Sequence, residues 1–135
     1  MNCSPVLSVK LAHLDADNEQ RRAVAARYDA ALGGHGGIAL PTVAPGASHV
    51  YHLYVVQIDD RDRVRDALGK THAVGTGIHY PAPIHRQPAY ERYVQPWMDL
   101  SATDAMAGRI LSLPMYPQLP PAQVDRVCAA LAQLL

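Results

Sequence analysis

The spacing of apolar residues predicts a helix at the start of the chain. Ser4-Pro5 has the residue types favoured at a helix N-cap and at the first helical position. The apolar residues that follow recur at the spacing of one helical face, and they are Leu7, Leu11, Leu14, Ala25, Tyr28 and Leu32. We therefore expect one long N-terminal helix over residues 1–33, followed by a glycine- and proline-rich linker over residues 34–48.

Three short segments have the composition of β-strands. The run HVYHLYVVQI at residues 49–58 is rich in β-branched and aromatic residues and apolar on both faces, which predicts a strand covered on both sides. Residues 73–79 (AVGTGIH) predict a second strand, which ends at Tyr80-Pro81 because proline cannot donate to a sheet. Residues 111–115 predict a third, short strand before Pro117.

Helical patterns separate and follow these strands. One helix is expected to begin after Asp59-Asp60 and to end at Gly69, and a short one to begin at Ser101, where Asp104 completes a capping-box pattern. The last helix opens at Pro120-Pro121, and its apolar stripe consists of Val124, Val127, Cys128, Leu131 and Leu134. Residues 49–135 thus predict a small α/β domain, and the chain as a whole a single-domain α/β (α+β) sandwich with a three-stranded sheet and one helical layer.

Composition excludes several classes of protein. The chain has 135 residues with 12 basic and 12 acidic side chains, so the basic surface of a nucleic-acid-binding protein is not expected. It also has no apolar run of membrane-spanning or signal-peptide type, which predicts a cytoplasmic protein without a membrane partner. Cys3 and Cys128 lie far apart and outside any metal-binding spacing, so both are interpreted as free thiols.

The residue types that carry chemistry form no clear catalytic or metal motif. His49 and His52 are three apart on a predicted strand and point to opposite faces, so seven histidines do not predict a metal site. The glycine-rich GGHGG at residues 33–37 lacks the lysine and hydroxyl residue of a phosphate-binding loop. Cys128 falls on the apolar stripe of the last helix, which indicates a buried, inert thiol. We therefore assign no catalytic residue.

The segment from residue 75 to residue 90 contains TGIHYPAPIHRQPAY and has two interpretations. Prolines restrict its backbone while polar and aromatic side chains follow closely, an arrangement suited to binding a hydroxyl-rich ligand. The same composition fits a surface loop whose aromatic side chains cover the core. The residues alone favour neither interpretation.

Five motifs in order resemble the C-terminal third of the DegT/DnrJ/StrS sugar aminotransferases. They are HVYHLY at 49–54, GTGIHYP at 75–81, His85 with QPAY at 87–90, LSLPM at 111–115, and QV at 123–124. The VKLAHLD run at 9–15 also resembles the helix that joins the two domains of these enzymes. The resemblance covers essentially the whole chain and implies the C-terminal domain of a fold-type-I, pyridoxal-phosphate-dependent enzyme that transfers an amino group from an amino acid, commonly glutamate, to a nucleotide-linked keto-sugar.

The resemblance also implies which parts of the reaction the chain would carry. The Schiff-base lysine, the acidic partner of the pyridine nitrogen and the phosphate-binding residues would all precede Met1, and Lys10 and Lys70 match none of them. We therefore expect the chain alone to be inactive and to bind no pyridoxal phosphate. His79 and Tyr80, with His85 as a weaker candidate, are the predicted substrate-binding residues.

Two further expectations concern partners and origin. The chain is expected to pair with a large domain or with itself, a homodimer being favoured. Its divergent first residues leave open a truncated product, half of a split gene, or a remnant. Arg86, Pro120 and the 93–100 segment with Trp97 depart from the family pattern. The alternative function is a stand-alone binding or interaction module that has kept the fold without the chemistry.

Overall fold

A computed structural model describes residues 4–95 and 97–135 of the chain. Cys3, predicted to be a free thiol, lies outside the described residues. Five α-helices and three β-strands lie within them, in the order α1 (Ser4–Leu11), α2 (Leu14–Leu32), β1 (Ile38–Ala39), β2 (Tyr54–Ile58), α3 (Arg61–His72), α4 (Ser101–Ala107), β3 (Ile110–Leu113) and α5 (Pro121–Ala132). Short 3₁₀ turns occupy Ile84–Arg86 and Glu91–Tyr93.

The three strands form one antiparallel sheet in the order β1-β2-β3. Tyr54 pairs with Leu113 and Val56 with Leu111, so these four side chains share one face, which is buried. Val55 pairs with Ser112 and Gln57 with Ile110 on the opposite face, where only Ser112 is fully buried. The predicted three-stranded sandwich is confirmed, but the prediction that its main strand is covered on both sides is wrong, because the second face is only half-covered.

One layer of helices covers the buried face of the sheet. Tyr28 of α2 stacks on Tyr54 of β2 with ring centroids 4.8 Å apart, and α2 packs against α5. The other fully buried side chains of this core include Leu32, Ile58, Val64, Leu68, Val124 and Leu131. Cys128 of α5 is buried and unpaired, as predicted, and burial raises the pKa of its thiol to about 11.

The predicted long first helix is wrong because it is two helices. Helix α1 ends at Leu11 and α2 begins at Leu14, with Asp15 and Asp17 in the first turn of α2, where a carboxylate is favourable. The apolar side chains of α1 do not join the core. Its four largest, Val6, Leu7, Val9 and Leu11, are each 63–68% exposed.

The predicted strand over residues 49–58 is too long at its start. The backbone N–H of Tyr51 donates to Nδ1 of His49 at 2.8 Å, and Tyr51 adopts a left-handed conformation with φ of 47°. A side chain that takes a backbone donor removes it from the sheet, so regular pairing begins only at Tyr54.

The other two predicted strands also change. Helix α3 runs through Gly69 to His72, and Ala73 ends it in a left-handed conformation, so the predicted second strand over residues 73–79 is reduced to one bridge from Gly77 to Ser112. The third strand of the sheet is instead β1, inside the predicted linker. The strand predicted over residues 111–115 is β3, which ends before Pro114 since proline lacks the N–H of a ladder bond.

Two features are absent from the described residues. No helix among them is long and apolar enough to cross a membrane. No group of three histidine, cysteine or acidic side chains in the same residues is placed to hold a metal ion.

Candidate functional site

His79 is held against the edge of the sheet by Ser112. Its Nδ1 lies 2.8 Å from Oγ of Ser112, a β3 residue that is only 4% exposed. The backbones of Gly77 and Ser112 exchange two hydrogen bonds of 3.0 and 2.8 Å. Because His79 follows Gly77 by two residues, this pairing keeps the histidine close to Ser112. A Cβ on Gly77 would approach Cε1 of His79 to 2.7 Å, so the ring lies in space that only glycine leaves open.

A pocket of about 340 Å³ opens beside this histidine. His79, Tyr80 and Pro83 line it, together with Met106 of α4 and Ile110 of β3. Its volume lies at the low end for small-molecule sites, and its lining is mostly apolar with a few polar groups, which is typical of such sites. The pocket lies on the half-covered face of the sheet, since Ile110, which lines it, belongs to that face.

Tyr80 lies at the mouth of the pocket. The peptide bond between His79 and Tyr80 is cis, and their rings meet edge to face with centroids 5.7 Å apart. Tyr80 is 75% exposed, so its ring and hydroxyl are accessible from solvent. The structure thus brings His79 and Tyr80 together at one opening, with an imidazole, a phenol and apolar walls within reach of one molecule.

His85 has different surroundings from His79 and Tyr80. Its Nε2 lies 2.7 Å from Oδ1 of Asp104 in α4, and Arg86 reaches the same carboxylate with bonds of 3.1 and 2.6 Å. The hydrogen bond from Arg86, and to a lesser extent that from His85, lowers the pKa of Asp104 to about 2. His85 does not line the pocket of His79. Its contact with Asp104 joins the loop to α4, and its predicted contact with substrate stays a prediction.

Three residues of this site were not predicted from the sequence. Ser112 shows one usable signal, since it is a polar residue inside an apolar strand, but its partner lies 33 residues away. Gly77 shows none beyond being a glycine in the GTG run. Asp104 was interpreted as part of a capping box with Ser101, which is wrong, because Asp99 accepts the Ser101 N–H at 3.0 Å and Asp104 pairs with the loop.

Neither lysine lies where pyridoxal phosphate could form a Schiff base. Lys10 is exposed on α1, and Lys70 is 78% exposed and paired with Asp66 at 2.9 Å. A Schiff-base lysine is normally desolvated in its site, and both of these lysines are exposed to solvent. The described residues of this chain therefore do not fit that cofactor by themselves.

Comparison with known proteins places this geometry in a family. Residues 2–132 match the DegT/DnrJ/EryC1/StrS aminotransferase family. The chain is 40% identical over 128 residues to the dTDP-3-amino-3,4,6-trideoxy-alpha-D-glucose transaminase of Streptomyces venezuelae, covering 95% of this chain and 34% of that protein. It is 39% identical to the erythromycin biosynthesis sensory transduction protein EryC1 of Saccharopolyspora erythraea, covering 93% and 34%.

A solved structure gives the same result. The DesV protein of S. venezuelae, crystallised with a ketimine intermediate, superposes with a TM-score of 0.90 at 40% identity over 96% of this chain and 34% of that one. The chain spans about a third of the length of the curated relatives that it matches. In this chain, the matched residues include the pocket, the His79–Ser112 contact and the sheet. The chain belongs to the DegT/DnrJ/EryC1/StrS aminotransferase family.

Proposed function

We propose that residues 1–135 supply the substrate-binding small domain of a nucleotide-sugar aminotransferase that transfers an amino group from an amino acid such as glutamate to a keto-sugar. In this proposal His79 and Tyr80 contact the sugar nucleotide, and His85 is a weaker candidate. The observation that carries it is the His79 ring, fixed between Gly77 and Ser112 at the mouth of a pocket beside the exposed Tyr80. The dTDP-sugar in the name of the S. venezuelae relative supports this choice of ligand.

The chemistry of the reaction would come from the cofactor. The family is pyridoxal-phosphate-dependent, and when bound the cofactor carries the amino group between donor and acceptor. Because Lys10 and Lys70 do not fit the role of Schiff-base lysine, that lysine and the phosphate-binding groups would belong to a large domain. The large domain would be part of a longer parent chain or a separate polypeptide. The residues described here would bind and orient the sugar, and we assign none of them a proton transfer at the reacting carbon.

The second candidate is a binding or interaction module without catalysis. The exposed apolar surface of α1 supports it, because such a surface favours a protein partner. The name of the S. erythraea relative, a sensory transduction protein, gives it some further support. The two candidates differ in whether the domain works in amino transfer together with a lysine-bearing large domain.

A chimaeric enzyme tests the proposal. These residues would replace the matching part of the S. venezuelae transaminase, and His79→Ala and Tyr80→Phe would be introduced separately. Each should weaken binding of the dTDP-linked amino sugar after which that enzyme is named, while the half-reaction with the amino donor changes little. Removing the Tyr80 hydroxyl should cost about 0.5 to 1.5 kcal/mol, so the loss is several-fold.

Tyr116→Phe is the matched control, since Tyr116 is half-exposed and does not line this pocket. The proposal fails if the folded variants bind the sugar nucleotide as tightly as the parent chimaera. Loss of folding in both variants with unchanged binding by the folded fraction would make the loop structural. A loss of many thousand-fold would place one of these side chains in the chemistry itself.

A further inference from the structure

We infer that Ser112 is a positioning residue for His79, and that its hydroxyl fixes the imidazole as the tautomer that carries its proton on Nε2 and offers that N–H to the ligand. The identity of the ligand rests on the proposed function. The orientation and tautomer of the ring do not, because they follow from contacts inside the chain.

The position of Ser112 requires an explanation. It lies in β3 between two buried leucines, Leu111 and Leu113, and is itself buried. A buried hydroxyl without a hydrogen bond is costly, and valine or threonine would suit a strand at least as well. Among the described residues the hydrogen bond of its Oγ is the one to His79 Nδ1. The hydroxyl is thus placed to hold this ring.

Proton accounting selects the direction of this bond. If Nδ1–H donated to Oγ, the Ser112 hydroxyl proton would have no acceptor among the described residues although the side chain is buried. If Oγ–H donates to Nδ1, that proton is satisfied. A neutral imidazole that accepts at Nδ1 carries its hydrogen on Nε2.

Gly77 constrains the same ring at its Cε1 edge. A Cβ on residue 77 would lie 2.7 Å from Cε1 and 3.4 Å from Nδ1 of His79. The backbone pairing of Gly77 with Ser112 fixes the distance between these two supports. The ring is held at two points, so the Nε2–H has a defined direction, and the complementary ligand group is an acceptor such as a sugar hydroxyl, carbonyl or phosphate oxygen.

Nitrogen-15 NMR of the imidazole rings in the 135-residue chain tests the inference directly. With the imidazole neutral, His79 should show a protonated-type Nε2 and a pyridine-type Nδ1. Ser112→Ala should convert this to a mixture of tautomers, and Ser112→Thr, which keeps a hydroxyl, should restore it. Ser48→Ala, an exposed serine in a loop, should leave His79 unchanged.

A neutral His79 ring that carries its proton on Nδ1 in the unmodified chain would overturn the inference, whether or not the Ser112 variants fold. An unchanged tautomer in a folded Ser112→Ala variant would overturn it too.

Binding of the dTDP-linked amino sugar by the chimaera separates this inference from the proposed function. Ser112→Ala should weaken binding roughly three- to tenfold, and the His79→Ala/Ser112→Ala pair should bind no more weakly than His79→Ala alone. If the tautomer responds to Ser112 but no variant alters binding, the proposed ligand is wrong and the positioning role stands. If His79→Ala weakens binding while Ser112→Ala changes neither tautomer nor binding, the positioning role is wrong and the proposed ligand stands.

Discussion

The Tyr54 hydroxyl donates a hydrogen bond to the Asp29 carboxylate and so joins the central strand β2 to helix α2. Tyr54 is fully buried, and its ring also stacks on Tyr28, whose own hydroxyl donates to the Pro114 carbonyl at 3.0 Å. Two tyrosines thus connect the helical layer to the sheet and to the turn after β3. This contact lies on the face of the sheet opposite to the candidate pocket.

Tyr54→Phe should lower the free energy of unfolding by about 1 to 2 kcal/mol, because it removes a hydrogen bond to a half-buried carboxylate and keeps the ring. Urea unfolding followed by circular dichroism measures the change. Tyr116→Phe removes a hydroxyl from a half-exposed ring and should change the free energy by less than about 0.5 kcal/mol. Equal effects of the two substitutions would show that the Asp29 contact does not stabilise the fold.

Stability should fall as the pH rises above about 9, where Cys128 begins to titrate in the unfolded chain, and more steeply above about 10, where the tyrosines join it. Burial raises the pKa values of Tyr28 and Tyr54 above the ordinary 10.0, and that of Cys128 from 9.0 to about 11. The unfolded chain therefore loses these protons first, the folded chain binds more of them, and unfolding becomes easier as pH rises. Each group contributes at most about 1.4 kcal/mol per pH unit.

Urea unfolding at pH values from 8 to about 11.5 tests this dependence. Tyr54→Phe should have a shallower slope above pH 10 than the unmodified chain. Tyr90→Phe should have the same slope as the unmodified chain, because Tyr90 is exposed and does not act on the pKa of Tyr28, Tyr54 or Cys128. A free energy of unfolding that is constant over this range would contradict the prediction.

Asp104→Asn should loosen the loop that carries the candidate site. The carboxylate receives hydrogen bonds from both His85 and Arg86, so its neutral replacement weakens the link between the 84–86 turn and α4. Hydrogen exchange of residues 84–87 should accelerate several-fold, with exchange in α2 unchanged. Asp66→Asn is the control, since Asp66 pairs with Lys70 on α3, away from the loop.

The same link should have an acid dependence. Because the pKa of Asp104 is lowered to about 2 from the ordinary 3.8, its contribution is present above pH 3.8 and is lost as the pH falls towards 2. If hydrogen exchange of residues 84–87 is identical in Asp104→Asn and the unmodified chain, the prolines of the loop keep it ordered and Asp104 does not.

Local patterns predicted the helices and the sheet well where one side of an element faces the core. Helix α5 begins at its prolines and buries Val124 and Leu131 as its periodicity indicates. The prediction of a strand at residues 49–53 was wrong because the His49 side chain accepts a hydrogen bond from the Tyr51 backbone N–H. β-Propensity does not account for such a contact. The two-residue β1 depends on pairing with Ile58 and leaves no signal in its own residues.

The candidate site was predictable only as a loop. Their spacing groups His79, Tyr80 and His85 within seven residues. It does not show that His85 is hydrogen-bonded to Asp104, or His79 to Ser112. Each of these contacts joins residues at least 19 positions apart. Side-chain partners at that separation depend on the packing of α4 and β3 beside the loop, which no local pattern contains.

The chain should self-associate through α1. Val6, Leu7, Val9 and Leu11 are exposed on this helix, and Leu14 at the start of α2 is 47% exposed. Covering one leucine side chain contributes about 1.5 to 3 kcal/mol, so the Leu7→Glu/Leu11→Glu pair should weaken association by at least about 100-fold. Sedimentation velocity at increasing protein concentration should show a mass that rises for the unmodified chain and stays that of a monomer for the double variant.

Val43→Glu is the control for this experiment, because Val43 is an exposed apolar residue in a loop far along the chain from α1. It changes charge and hydrophobicity as one of the α1 substitutions does. Because it lies outside α1, it should leave the concentration dependence of the mass unchanged. A monomer at all concentrations would show that α1 needs a different partner, for which a separately expressed large domain is the candidate. Self-association that persists in Leu7→Glu/Leu11→Glu would place the contact elsewhere, and the exposed Tyr80, Tyr93 and Trp97 would then be the next surface to substitute.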